Sequence, residues 1–148
     1  MAEITLTEQV SVVTLSGIPI ENESRLLSML FSAAAESEIC IDMISKTCVS
    51  TDTASIGFTF NDDDMAEMLC VLGKMKFPRA PMVSCGNVKI TVKSDEMVYE
   101  TGFAAKLFCA LKNENVIPLL VTTAVDEISA VVRNGDIGND FLSALTSI

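Results

Sequence analysis

The side chains that could do chemistry in this sequence are few, and their spacing does not suit catalysis. There is no histidine among the 148 residues. That removes the usual general base near neutral pH, Ser-His triads and Cys-His metal sites. The five cysteines, Cys40, Cys48, Cys70, Cys85 and Cys109, are odd in number and contain no Cys-x-x-Cys pair. Neither a disulfide framework nor a thiol metal site follows from them. Cys70 and Cys109 fall within helical apolar patterns, where a thiol serves as a small hydrophobe. All five read as reduced and structural, in line with a cytoplasmic protein. Asp62-Asp63-Asp64 brings hard oxygen ligands together, but three consecutive acids at a helix start do not converge on one cation. Helix capping is the use they predict. Asn134-Gly135-Asp136-Ile137-Gly138 lacks the Gly-x-Gly-x-x-Gly spacing of a phosphate loop and reads as a turn. The residues imply no nucleophile–base pair, no metal and no cofactor.

Binding is better served. Ser16-Gly17-Ile18-Pro19-Ile20-Glu21-Asn22-Glu23-Ser24 reads as a polar loop between a strand and a helix. Free N–H groups and the positive helix end suit a ligand carboxylate there, and Glu21, Asn22 or Glu23 can receive an ammonium. The same residues have a plainer use, with Asn22 or Ser24 as helix cap and the glutamates favouring the dipole. A second loop, Ser94 to Gly102, offers Thr101 as a cap for the next helix. Its Tyr99, the one tyrosine, reads as packing on a neighbour.

Composition narrows the class. Twenty acids against ten bases give a net charge of −10, and 49% of residues are hydrophobic. Such a chain is neither disordered nor suited to nucleic acid, which requires a basic footprint. Apolar runs stop well short of the roughly 20 residues of a bilayer span, and no basic-then-apolar leader opens the chain.

The elements that would position these loops form a repeat. Val10–Leu15 alternates like a strand. Leu26, Leu27, Leu30, Phe31 and Ala34 then recur at helical spacing. Ile39–Ile44 and Ser55–Phe60 read as strands, and Met65, Met68, Leu69, Leu72 and Met75 as a helical core stripe. Downstream, Val88–Val92 is a strand. Phe103, Ala104, Leu107, Phe108 and Leu111 lie 77 positions after the first helical set, and Val116–Val121 lies 77 after Ile39–Ile44. Glu127–Val132 and a stripe of Ile137, Phe141, Leu142 and Leu145 complete a second β-α-β-β-α half. Each half needs one more strand to become a ferredoxin-like βαββαβ unit. Residues 81–85 can close the first, and residues 4–6 the second. The predicted domains are therefore 10–85, with a Pro-containing linker at about 76–80, and 86–148 closed by strand 4–6.

These residues resemble the paired ACT domains at the regulatory end of aspartokinases. There the first unit typically carries Gly-Val-Pro, Asp-Met-Ile and Asp-Ile-Ser-Phe-Thr. Here Gly17-Ile18-Pro19, Asp42-Met43-Ile44 and Ser55-Ile56-Gly57-Phe58-Thr59 hold those places. The second unit's Pro-Gly-Val-Ala-Ala-Lys-x-Phe is met by Gly102-Phe103-Ala104-Ala105-Lys106-Leu107-Phe108, and Thr123 and Ile128–Val132 follow in order. The resemblance implies an α+β fold of two ACT-like units with exchanged edge strands. It also implies a homodimer that binds an effector amino acid at an interface and serves an enzyme of amino-acid biosynthesis.

Ser16, Gly17, Ile18, Pro19, Ile20, Asn22, Glu23 and Ser24, with Lys46, Thr47, Thr101 and Gly102, are then the candidate ligand-binding residues. Ile20 stands where the family has an acid, Glu23-Ser24 where it has Pro-Gly, and Lys46-Thr47 where it has Gln-Asn. Those exchanges favour an alternative, an interaction module that has lost its ligand. No kinase portion is legible, so the chain reads as a stand-alone regulator or an excised fragment.

Overall fold

A computed structural model describes residues 2–148. The elements are β1 (Glu3–Pro19), α1 (Ile20–Glu36), β2 (Ile44–Cys48), β3 (Thr53–Asn61), α2 (Met65–Gly73), β4 (Met82–Lys93), α3 (Phe103–Asn113), β5 (Leu120–Thr123), β6 (Glu127–Arg133) and α4 (Asn139–Thr146). Short 3-10 turns occupy Asp62–Asp64, Asp95–Val98 and Asn134–Asp136. The fold is α+β, with four helices and a six-stranded sheet in the order β2-β3-β1-β4-β6-β5. The pairings β1–β3, β2–β3, β4–β6 and β5–β6 are antiparallel.

The chain divides into two compact units, one Gln9–Cys85, the other the chain up to Glu8 together with Gly86–Ile148. Within the 9–85 unit, alternate residues of β1 and β3 (Val13, Leu15, Ile56, Phe58, Phe60) meet Leu30, Ala34, Met68, Val71 and Leu72 of the two helices. The Phe31 and Phe58 rings meet edge to face at 5.4 Å. In the other unit, Ile90, Val92, Ile128 and Val132 pack with Leu107, Leu111, Phe141 and Leu145, and Ile4 lies against that cluster.

Several elements run differently from the sequence expectation. The segments at 4–6 and 10–15 belong to one continuous strand, as do those at 81–85 and 88–92. At each unit boundary stands a residue with left-handed backbone, Gln9 (φ 58°) and Gly86 (φ 68°). The second strand lies at Ile44–Cys48 rather than 39–44, and the fifth at Leu120–Thr123 rather than 116–121.

The reason for these two shifts is the same. Both preceding helices end in a Schellman motif, in which the chain reverses through a left-handed residue and the next residue's N–H closes a long bond. Glu38 (φ 59°) and Asn115 (φ 55°) are the left-handed residues. Their amides donate to the carbonyls of Ala35 and Lys112, and the amides of Ile39 and Val116 reach Ala34 and Leu111 at 2.9 and 2.8 Å. The buried Ile39 and Val116 are thus the apolar plugs of helix ends, not strand starts.

Surface and core also trade places at a few positions. Cys70 and Cys109 are exposed, as are Cys40, Cys48 and Cys85. The buried faces of α2 and α3 run through Met68, Val71, Leu72 and Phe103, Leu107, Ala110, Leu111, and the two thiols lie off them. Phe108 and Leu69 are exposed for the same reason, and Tyr99 is 87% exposed rather than packed away. Asn61 caps the acidic turn by accepting from the Asp63 amide at 2.9 Å, and Asp62 accepts from the Ser11 hydroxyl.

The two Schellman sites are not equally easy for the chain. A left-handed conformation costs an ordinary L-residue roughly 1–2 kcal/mol, less for asparagine. Glu38→Gly will raise stability by about 1 kcal/mol in urea denaturation and Asn115→Gly by less. Equal changes at the two positions contradict this assignment.

Candidate ligand-binding site

The predicted loop from Ser16 to Ser24 is largely absent. β1 continues through Pro19 and α1 begins at Ile20. What allows this is a bulge at Gly17 (φ 66°), where the register slips between Leu15 opposite Ile56 and Ile18 opposite Ala54. Glycine takes such a backbone without a Cβ penalty. Beyond the bulge Pro19 still faces Thr53, and the Ile20 amide donates to the Asp52 carbonyl at 2.9 Å. Ile18 is fully buried in the core and is not available to a ligand. Ser16, Gly17 and Pro19 are half-buried, and Ile20, Asn22 and Ser24 are exposed.

Neither Asn22 nor Ser24 caps α1. Pro19 holds the N-cap position and makes no side-chain cap bond. The Ile20 amide is already taken by Asp52, and the remaining first-turn amides are donors that the helix itself does not satisfy.

Glu23 is the unusual residue. It lies in the first turn of α1 and is buried, with 8% exposure. A buried carboxylate requires a partner, and Lys46 supplies it at 2.8 Å from Oε1. The sheet register explains the meeting. Lys46 pairs with Ile56, and Ile56 on its other side pairs with Leu15. Directly opposed residues of antiparallel strands share a face. Lys46 therefore projects on the core side of the edge strand, towards α1. Thr47 pairs with Ser55 on the opposite face and is exposed. The Glu23–Lys46 pair thus ties the first turn of α1 to the edge strand β2.

In the other unit the corresponding segment is built differently. The Ser94 amide donates to the Asp126 carbonyl at 2.9 Å, just as Ile20 does to Asp52. Ser94 is buried and its hydroxyl accepts from the Glu96 amide, capping the 3-10 turn Asp95–Val98. The helix starts only at Phe103, with Gly102 (φ 102°) at the N-cap and Thr101 exposed and not capping. The two helices end 77 positions apart, at Glu36 and Asn113, but α1 has 17 residues and α3 has 11. The extra length of α1 is at its start, where a loop was predicted.

No protein-family profile matches the sequence. An aspartokinase of Bacillus sp. (strain MGA3) is 26% identical over 133 residues, which cover 88% of this chain and 32% of that protein. The ligand-free regulatory subunit of aspartate kinase from Thermus thermophilus superposes with a TM-score of 0.84 at 18% identity, over 98% of this chain and 96% of that one. Aspartokinase III of E. coli, solved in complex with lysine and aspartate, superposes with a TM-score of 0.69 at 16% identity, over 97% of this chain and 32% of that one. The chain resembles the regulatory portion of aspartokinases. It spans about a third of the length of the curated relatives it matches.

The aspartokinase-like motifs fall unevenly on this geometry. Gly17 and Pro19 frame the bulge. Ile20, where the family has an acid, is exposed at the helix start, and Lys46, where the family has glutamine, anchors Glu23. Thr101 and Gly102 belong to the other unit. Sequence reasoning missed Arg79, taken only as part of a linker. Its Nε lies 3.2 Å from where a Cβ on Gly17 would stand, so the guanidinium side chain covers the bulge. The available signal was a lone arginine in the connector that closes the first half.

The ion pair has a definite pH signature. Hydrogen bonding to the Glu23 carboxylate holds the Lys46 ammonium above the ordinary lysine range, and interaction with Cys48 and the charge on Glu23 act in the same sense against a smaller desolvation effect. A raised folded-state pKa stabilises fully below the unfolded value and is lost as pH rises through the folded one. Stability differences between the wild type and Lys46→Met, followed by denaturation against pH, will hold through neutral and mildly alkaline conditions. They will shrink only as pH climbs beyond the ordinary lysine value. A difference already gone near pH 8 contradicts the pairing.

Proposed function

We propose that this chain is a non-catalytic regulatory module that senses a small amino acid. Each unit is read as a ferredoxin-like βαββαβ (ACT-like) domain, the first closed by residues 81–85 and the second by residues 4–6. The association of the segment before Gln9 with residues 86–148, and the packing of Ile4 there, support that reading. The module works as a homodimer in the cytoplasm alongside an enzyme of amino-acid biosynthesis. Five unbridged thiols accord with a reducing compartment. No helix among the described residues is long and apolar enough to cross a membrane.

The observation that carries the proposal is the Glu23–Lys46 pair at the end of a glycine bulge. It holds the two charges that an amino acid's own ammonium and carboxylate complement. A bound amino acid places its ammonium on Glu23 and its carboxylate on Lys46 and the first-turn amides of α1. One internal ion pair is exchanged for two with the ligand. The exchange loosens α1 from β2, so the ligand favours the arrangement in which helix and strand are separated. The shift it produces equals its difference in affinity for the two arrangements. That difference is what a partner enzyme reads.

The same pair favours a second reading. Where the protein's own side chains satisfy one another, the site is filled without a ligand, as in an interaction module that has lost sensing. Isothermal titration with the twenty amino acids separates the two. Sensing predicts binding of at least one amino acid, weakened about tenfold or more in Glu23→Gln. Flat traces for all twenty favour the interaction module.

A further inference from the structure

Three cations of this acidic chain converge on one groove. Arg25 on α1 and Lys74 and Lys76 beyond the end of α2 line a cavity of about 490 Å³. Its apolar floor is Leu26, Met29 and Met75, and no acidic residue lines it. All of these residues lie within the 9–85 unit. Other cations among the described residues also lack an ion pair, but these three are the ones brought to a single cavity. Among the described residues, Arg25, Lys74 and Lys76 make no ion pair or side-chain hydrogen bond. Like charges gathered without a counterion repel one another, and a bound anion relieves that repulsion.

Lysines just past a helix C-terminus also favour its dipole, and that accounts for Lys74 and Lys76. It does not account for Arg25, which sits in the second turn of another helix and faces the same groove. The sequence explains how the wall forms. Asn22, Arg25, Leu26 and Met29 recur at helical spacing on one face of α1. Opposite them stand Lys74, Met75 and Lys76, of which Met75 also packs against the core cluster.

We infer that this groove binds a small organic anion of two or more negative charges with a short apolar portion. The volume is that of a small-molecule site. The cations meet the charged groups, Asn22 offers a further hydrogen-bond donor, and the methionine and leucine side chains take the apolar part. Arginine pairs with planar or tetrahedral oxyanions through two N–H groups at once. An amino-acid zwitterion does not fit, because no carboxylate is present to receive its ammonium. The groove is thus a second site, chemically distinct from the Glu23–Lys46 junction.

Two probes test it by amide NMR at constant ionic strength: citrate, a polycarboxylate, and phenyl phosphate, a phosphate ester with an apolar ring. Saturable shifts of residues 22–29 and 74–76 with either probe support the site, and the stronger probe identifies the anion class. In Arg25→Gln/Lys74→Gln/Lys76→Gln the affinity will fall about tenfold or more. All three side chains are exposed, so the variant will keep its thermal melt; Arg25→Gln alone gives a smaller loss in the same direction. Glu23→Gln will leave anion binding unchanged, which separates this site from amino-acid sensing. No shifts with either probe, or shifts of equal size in the triple variant, overturn the proposal.

Discussion

The reversal of the backbone at Glu38 is the constraint on which the first unit's site depends. It ends α1 and drops Ile39 into the core under Ala34. A short connection then leads to the edge strand. The Asp42 amide is held by the Thr59 carbonyl at 3.0 Å, and the Met43 amide by the Thr59 hydroxyl at the same distance. Those bonds set the register with which β2 enters at Ile44. A slip of one residue would exchange Lys46 for Thr47 on the core-facing side, because strand side chains alternate. Glu23 would then be a buried carboxylate without a partner.

The two units solve the same problem with different materials. Both reverse through a left-handed residue at repeat-equivalent places, Glu38 and Asn115, and both tie a strand end to an aspartate carbonyl, Asp52 and Asp126. They part between strand and helix. In the first, a glycine bulge carries β1 directly into a long helix whose first turn includes a paired buried glutamate. In the second, a serine-capped 3-10 turn intervenes and the helix is shorter. One unit therefore presents a charged junction and the other a backbone turn with an exposed tyrosine. An aspartokinase-like pair of units of this kind has its polar chemistry concentrated in one of them.

The charge distribution points the same way. A net charge of −10 selects against anions in general. Against that background, the convergence of several cations on one cavity is informative. Lys46 is committed to Glu23, and Arg79 lies over Gly17. Arg25, Lys74 and Lys76 instead share a groove. The 9–85 unit thus carries both the Glu23–Lys46 pair and the cation-lined groove, built on the start of one helix and the end of another.

Periodicity alone determined the repeat, the places of α1 to α4, and strands β3 and β6, although Leu69 and Phe108 of the expected stripes are exposed. Their patterns survive in the structure because local alternation and helical spacing report directly on burial. The 77-residue offset even matches the helix ends at Glu36 and Asn113. What sequence did not yield was where chains turn without glycine, at Gln9, Glu38 and Asn115, since the left-handed state of such residues is imposed by packing around them. For the same reason the apolar Ile39 and Val116 resembled strand starts. The loop at 16–24 became strand and helix because a bulge at Gly17 kept β1 paired through Pro19, a pairing made with residues near 54. Glu23 and Lys46 were both legible as polar candidates. Their contact was not, because it depends on a register across three strands and on which face each residue takes. The groove of Arg25, Lys74 and Lys76 arises likewise, since only packing of α1 beside the end of α2 brings residues about fifty positions apart to one cavity.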